Sequence, residues 1–355
     1  MISRKTITQF GALLLDDKRI SIKDLAKITG YSVATVSRVL NNKEGKFSEK
    51  TKEKVLAAIE ETNYATNSIA KSLRVRKTNT IAVVIPDLSN SFFARLVQEI
   101  ETLLFSRGFT LIICTTDREQ EKEDQYLKML EGKMVDGIIM ISGNDDLASS
   151  NYFKGKPIVF IDRGIQDEEN ISIVGSNHYQ GGKLAAQKLF DNKCKNIAFI
   201  TQDKNLQINK EIFRGANELL TKQEIPLDNN IIVSAMPDDK FSKTGATTST
   251  VTELIHKGRF NYDGAICTDD RVAVGAILAL EKCGKVIPED FKIIGYGNDP
   301  ISKYFTPALT SIRQDYALLA KESVKELFYR IEEEVERVAH AITIPVSLVN
   351  RQTTI

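Results

Sequence analysis

The sequence predicts an α/β protein: a small helical head followed by a larger, doubly wound body. Three observations carry this prediction. Residues 21–40, SIKDLAKITGYSVATVSRVL, read as two short helices around a glycine turn. Residues 78–340 alternate short β-rich runs with helical patterns, as open parallel sheets require. The charge is also split. From Lys18 to Lys77 there are 14 Lys and Arg against 6 Asp and Glu, a net of +8. The whole chain is +1 and residues 1–17 are neutral, so everything from residue 78 onward carries −7. A basic head on an acidic body is the footprint of a phosphate-binding module. It also disfavours non-specific nucleic-acid contact by the body.

The elements follow in order. Residues 1–18 hold only a five-residue apolar run, GALLL, too short for a secretory core or a membrane span. They are treated as an extension of unknown role. Ser21 is placed to cap the first helix, with Asp24 as its capping-box partner. Ile22, Leu25, Ala26 and Ile28 supply its apolar face. Gly30 ends it, because glycine turns there at little steric cost. Ser32 caps the second helix. Val33, Val36, Val39 and Leu40 form its expected buried stripe. The opposite face carries Ala34, Thr35, Ser37, Arg38 and Asn41, which are small, polar or cationic. A helix with such a face, after a helix and a glycine turn, fits the major groove of DNA. Ser48 can cap a third helix with Val55, Leu56 and Ile59 apolar. Asn67 can cap a short fourth one carrying Ile69, Ala70 and Leu73 and ending in Arg74, Arg76 and Lys77. That last helix is too short to stand alone in water, so it is expected to order on DNA.

In the body, seven runs are short and β-rich: IAVVIP, LIICTT, GIIMIS, PIVFID, NIAFIT, GAICTD and KIIGYG. Buried parallel strands read this way. Helical periodicity fills residues 92–107 and 180–191. Seven strands over this length point to two sheets rather than one. The four cysteines, Cys114, Cys194, Cys267 and Cys283, show no metal-binding spacing. They are read as reduced thiols of a cytoplasmic protein. No GxGxxG, P-loop, HExxH or GxSxG occurs. His178, in SNHYQGG, has no partnered nucleophile or metal motif. An enzyme is therefore not expected, and neither catalytic residues nor a cofactor nor a metal site is assigned.

The motifs also stand in a recognisable order and spacing. They are SVATVSRVLN (32–41), NYATNSIAKSLR (63–74), TNTIAVVIPDLSNSFF (78–93), VDGIIM (135–140), PIVFIDR (157–163), YQGGKLAA (179–186), NIAFI (196–200), IIGYGNDP (293–300) and PALTSIRQD (307–315). From about Arg19 onward the chain resembles the LacI/GalR family of bacterial transcription repressors. The resemblance implies a helix-turn-helix domain over 19–66 and a hinge helix and linker over 67–77. An effector-binding and dimerisation domain over 78–355 follows. Its two Rossmann-like subdomains, of periplasmic-binding-protein type, would span about 78–177 and 178–307, with a C-terminal crossover. The expected partners are a near-palindromic double-stranded operator, a small-molecule effector and a second copy of the chain, with no membrane. Dimer contacts would run along residues 92–107. No leucine heptads follow the last family motif, so a dimer is expected rather than a tetramer.

The resemblance also assigns positions. Val33, Ala34 and Arg38 stand where the family reads base edges, Arg38 being suited to guanine O6 and N7. Thr35, Ser37, Asn41 and Ser48 look like phosphate anchors. Leu73 is the family's minor-groove wedge, with Arg74 beside it. Ser32, Tyr64, Asn67 and Ala70 complete the DNA-contacting set. Ligands of open α/β sheets sit at strand carboxyl ends, which brings forward Asp87, Asp162, Arg163, Asp269 and Asn298. Phe92 is the expected aromatic wall, and Ser176, Asn177 and Gln314 stand at family positions. Two departures matter. Ile212 occupies an effector position where many sugar-responsive members have arginine, and Arg214 is one helical residue off that direction. Gly297-Asn298 replaces the usual Asp-Asp. A sugar or sugar derivative is the expected effector. A purine, a nucleoside or a protein co-effector is the alternative, and a sugar-binding protein without DNA affinity is a lesser one. Arg163 alone is thin support for a phosphorylated sugar.

Overall fold

A computed structural model describes residues 20–40, 46–62, 64, 77–141, 157–162, 171–232, 243–332 and 339–355. The chain divides into two compact units, Met1–Thr78 and Asn79–Ile355. Asn41, Asn67, Ala70, Leu73, Arg74 and Arg163 lie outside the described residues.

In the first unit, α1 (Ile22–Thr29), α2 (Val33–Leu40) and α3 (Glu49–Thr62) enclose a small core. The Ser21–Asp24 capping box is present, and Gly30 follows α1 in the left-handed region with φ 72°. The Ser32 and Ser48 hydroxyls accept the backbone N–H groups of Thr35 and Thr51 at 3.1 and 3.2 Å. Leu25, Val36 and Val55 are fully buried at the centre. Val33 departs from the expected stripe, being 41% exposed. It opens α2, and a helical side chain leans back over the preceding turn, here away from the Val36–Val39 contact. Leu56 is likewise exposed on the outer side of α3.

The second unit holds two six-stranded sheets. In the first, β1 (Thr80–Ile85), β2 (Thr110–Thr115), β3 (Gly137–Ile141), β4 (Ile158–Ile161), β5 (Ser172–Ser176) and β11 (Ala341–Ile344) lie in the order β11-β5-β4-β3-β1-β2. All its pairings are parallel. In the second, the order is β12-β10-β9-β8-β6-β7. These strands are β6 (Ile197–Thr201), β7 (Leu227–Ile232), β8 (Gly264–Cys267), β9 (Lys292–Tyr296), β10 (Thr310–Arg313) and β12 (Ser347–Val349). Only the β10–β12 pair is antiparallel.

Both sheets are covered on both faces, which is why their central strands are continuous apolar runs. Along β1, Ile81, Val83 and Ile85 face a core shared with α4 (Ser91–Phe105) and α11 (Tyr316–Glu332). Ala82 and Val84 face the opposite core, shared with α5 (Gln120–Gly132). In the second sheet, α6 (His178–Asp191) and α7 (Gln207–Thr221) cover one face. The other is covered by α8 (Lys243–His256) and α9 (Asp270–Lys282). A short α10 (Pro300–Tyr304) follows β9.

The chain passes between the sheets three times: from β5 to α6, from β10 to α11, and from β11 to β12. The second sheet thus takes β10 and β12 from beyond residue 307. After β12 the chain folds back over β9 and β10. Thr353 and Thr354 are fully buried there, and the Thr353 hydroxyl donates to the Ile293 carbonyl at 2.8 Å.

Helices α6 and α7 are pressed together through glycine. A Cβ on Gly182 would lie 2.0 Å from the Ile212 carbonyl oxygen, and one on Gly215 would lie 1.9 Å from that of Tyr179. Neither backbone can yield without moving a helix. Gly182→Ala and Gly215→Ala should each destabilise the body by about 1–3 kcal/mol, as overpacking does. Thermal unfolding checks this, and wild-type melting in both variants would mean that the helices are free to separate.

Candidate functional site

Strands of both sheets end towards one cleft. Each connection leaving a strand end there must turn sharply, and several do so through non-glycine residues in the left-handed region. Asp117 and Arg118 follow β2 with φ 52° and 63°, Asp162 follows β4 with φ 50°, and Asn298 follows β9 with φ 54°. Asp and Asn tolerate this conformation better than most residues, but a run of such positions marks a constrained site.

Side chains of the two sheets meet across the cleft. The Ser91 hydroxyl donates to Asp299. The Arg271 guanidinium donates to the Ser89 carbonyl at 3.2 Å. The Gln314 amide donates to Asp162 at 3.1 Å and to the Ser176 hydroxyl at 2.9 Å. The Tyr316 hydroxyl donates to the Gly297 carbonyl at 2.6 Å, and burial pushes its pKa up to about 12. Lys243 pairs with Asp269 at 2.6 Å, and Arg271 approaches the same carboxylate at 3.7 Å. These two cations hold Asp269 below its ordinary pKa against the opposing effect of its burial. Burial lowers the pKa of Arg118, while the carboxylates of Asp87, Asp203 and Asp269 act in the opposite direction.

The structure sorts the sequence-derived cleft residues. Asp162, Ser176 and Gln314 are brought together and buried. Asp269 and Asn177 stand at strand ends but also cap α9 and α6, accepting the N–H groups of Arg271 and Gln180 at 2.8 and 2.9 Å. Asp87 accepts from the Ser89 hydroxyl and the Asn90 N–H at 2.6 and 2.9 Å, so it shapes its own loop. Phe92 is only 9% exposed, with its ring packed on Phe93 and Tyr316. The half-buried Tyr316 is the more accessible of these rings. Ile212 is a correction. It is fully buried in the core beneath α7 and cannot touch a ligand in the cleft. Arg214 points elsewhere, paired with Glu211 and stacked over Tyr179. Asn298 is half-buried at the end of β9. Its side-chain oxygen is held by Arg351 at 2.6 Å, in the C-terminal segment.

Sequence reasoning missed Arg118, Lys243, Arg271, Tyr296, Asp299 and Tyr316. Asp270 was also missed. It is fully buried and accepts from the Ser311 hydroxyl and the Asp299 N–H, both at 2.6 Å. Burial pushes its pKa up to about 8, although both hydrogen bonds favour the ionised form.

In the head, Ser32, Val33, Ala34 and Arg38 are exposed, whereas Thr35 and Ser37 are half-buried. The Ser32 and Ser48 hydroxyls serve as caps, each also within 2.9 Å of a threonine hydroxyl. Tyr64 is half-buried against the head core, and burial raises its pKa.

Carboxylates, amides and hydroxyls around a ring suit a polyhydroxylated or polar ligand. The Cys267 thiol is fully buried, and burial raises its pKa, so it does not supply a thiolate nucleophile. Among the described residues, no group of three or more His, Cys, Asp or Glu could hold a metal ion. No helix among them is long and apolar enough to cross a membrane.

A head with an exposed cationic helix face and a body with a polar cleft define a ligand-responsive DNA-binding regulator. Residues 21–67 match the family described as bacterial regulatory proteins, lacI family, and residues 186–354 match the periplasmic binding protein-like domain. The ribose operon repressor of Halalkalibacterium halodurans is 36% identical, over 94% of this chain and 97% of that one. The sucrose operon repressor of Pediococcus pentosaceus is 34% identical, over 92% and 97%. A LacI family transcriptional regulator from Enterococcus faecium, solved with bound ribose, is 28% identical with a TM-score of 0.66, covering 78% of this chain and 98% of that one. The chain belongs to the lacI family of bacterial regulatory proteins. It is a DNA-binding transcription repressor, of a family whose members are not enzymes.

The Asp270 carboxyl gives the body a pH signature. Its folded pKa of about 8 lies above the ordinary 3.8. The folded state therefore holds a proton that the unfolded state releases. The associated stability is complete below the ordinary 3.8 and is lost as pH rises from there through about 8. The melting temperature should fall across that range. Asp270→Asn should flatten the slope, whatever it does to absolute stability; an unchanged slope would show that Asp270 is already ionised.

Proposed function

We propose that this repressor controls a carbohydrate-utilisation operon in the cytoplasm and that a sugar bound between its two subdomains sets its operator affinity. The observation that carries this reading is the near full-length similarity to a ribose operon repressor. The cleft supports it, because Asp162, Ser176 and Gln314 form a buried set able to recognise vicinal hydroxyls.

The protein acts as a homodimer on a near-palindromic site, one head per half-site. The dimer reading is supported by apolar side chains left in solvent on the first sheet's side. Phe105 at the end of α4 and Ile113 on the edge strand β2 are both exposed. Val33, Ala34 and Arg38 read bases, with Thr35, Ser37 and Asn41 near phosphates. Ser48 serves its helix first, and Tyr64 supports the head from within. Leu73 and Arg74 enter the minor groove beside Asn67 and Ala70. A ligand that prefers one arrangement of the subdomains shifts the population and changes operator affinity.

Two measurements test this. Full-length protein with D-ribose at about 100 times its dissociation constant should gain about 2.7 kcal/mol, several degrees of melting temperature. A response to nucleobases instead of sugars would move the effector to the purine class, and no response to either would favour a protein co-effector. Arg38→Ala should weaken operator binding by about 1–3 kcal/mol and relax preference at one base pair per half-site. Selection from a randomised duplex library checks this, and an unchanged consensus would remove Arg38 from the base-reading set.

A further inference from the structure

A ligand between two sheets can act at a distance only if some part of the protein senses the angle between them. His178 stands at such a point. It opens α6 at the first crossover and is buried. Its Nδ1 lies 2.8 Å from the Tyr296 hydroxyl at the end of β9, in the second sheet. Its Nε2 lies 3.0 Å from the Asp162 carboxylate at the end of β4, in the first. That second contact is close enough for a hydrogen bond but out of line for one, so Nε2 is buried without an aligned partner.

The groups on either side are fixed. Asp162 accepts the Ser176 N–H at 2.6 Å on one oxygen and the Gln314 amide at 3.1 Å on the other. Ser176 leads into the first crossover, and Gln314 lies in the second. Tyr296, Asp162 and Gln314 are all buried. Burial, reinforced by the Asp162 charge, keeps the Tyr296 pKa well above the ordinary phenol value. The phenol therefore stays protonated and is able to donate to Nδ1. In the tautomer that accepts this bond, the ring proton is on Nε2 and faces Asp162. In so dry a place a poorly made hydrogen bond is costly, and a small rotation between the sheets would bring it into line or break it.

We propose that His178 is a positioning residue that sets the angle between the two subdomains, bonding the strand ends of both sheets in one arrangement and releasing Asp162 in the other. This rests on the reading that the ligand binds between the subdomains. The side chain is a two-armed bracket. Asn at this position keeps the arm near Nδ1, Gln keeps the arm near Nε2, and neither keeps both.

The test uses the full-length chain, His178→Asn, His178→Gln and Tyr296→Phe. Amide hydrogen exchange is read first without ligand. All three variants should speed exchange at the two crossovers, residues 176–178 and 314–316, by about tenfold, the size of one hydrogen bond. The interiors of β1 and β8 should keep wild-type protection. D-ribose affinity, measured by calorimetry, should shift in the same three variants, because closure is part of binding. Wild-type exchange in any one of the variants would overturn the proposal, since one arm or simple space-filling would then suffice. Lost protection throughout both sheets would overturn it as well, by showing a packing role. Failure of the wild-type protein to bind D-ribose would count against the sugar reading alone, because the exchange result stands without any ligand.

Discussion

The three passages of the chain between its two sheets are the constraint on which the body depends. A single linker would let the subdomains drift apart. Three, side by side, allow rotation and little else. Because β5 and β10 both leave their sheets at the carboxyl ends, the same geometry that ties the subdomains also brings their ligand-facing loops together. Asp162, Ser176, His178, Tyr296 and Gln314 come from distant parts of the sequence, and the crossovers deliver them to one buried place. On the proposed reading, binding and hinge motion draw on overlapping residues. In such a protein a ligand has a direct hold on the population of the two arrangements.

The contrast between head and body follows from size. The head rests on a handful of fully buried apolar side chains, so its helices rely on caps at Ser21, Ser32 and Ser48 and on the turn at Gly30. The body has four extensive cores and needs no such help at every helix start. Three of its helices, α5, α7 and the short α10, begin without a side-chain cap.

What the sequence made legible follows the same physics. Central strands such as IAVVI and IVFI are buried on both faces, so they appear as unbroken apolar runs. Strands β7, β10 and β12 stayed hidden because LDNNII, TSIR and SLV are polar or very short. Strand β5, SIVGS, was hidden too, since small residues do not announce a strand. In the cleft, Asp162 and Asp269 were readable because they directly follow strong strands. Arg118, Lys243 and Asp299 were not, because only the tertiary fold brings them to the cleft. Ile212 shows the limit of reasoning by position. The position itself faces the core, and the isoleucine there fills it. Asn298 shows a second limit, because its partner, Arg351, lies 53 residues further along the chain.

The order of the strands also governs how the protein is made. Each sheet takes an edge strand from the last stretch of the chain, β11 in one and β12 in the other. The segment after β12 then seals the second core with Thr353 and Thr354 and fixes Asn298 through Arg351. A chain emerging from the ribosome can assemble its head early, since the head is one contiguous stretch. The two sheets of the body are complete only once residues 341–354 are free of the exit tunnel. The operator-reading part of this repressor thus exists before the part that takes orders.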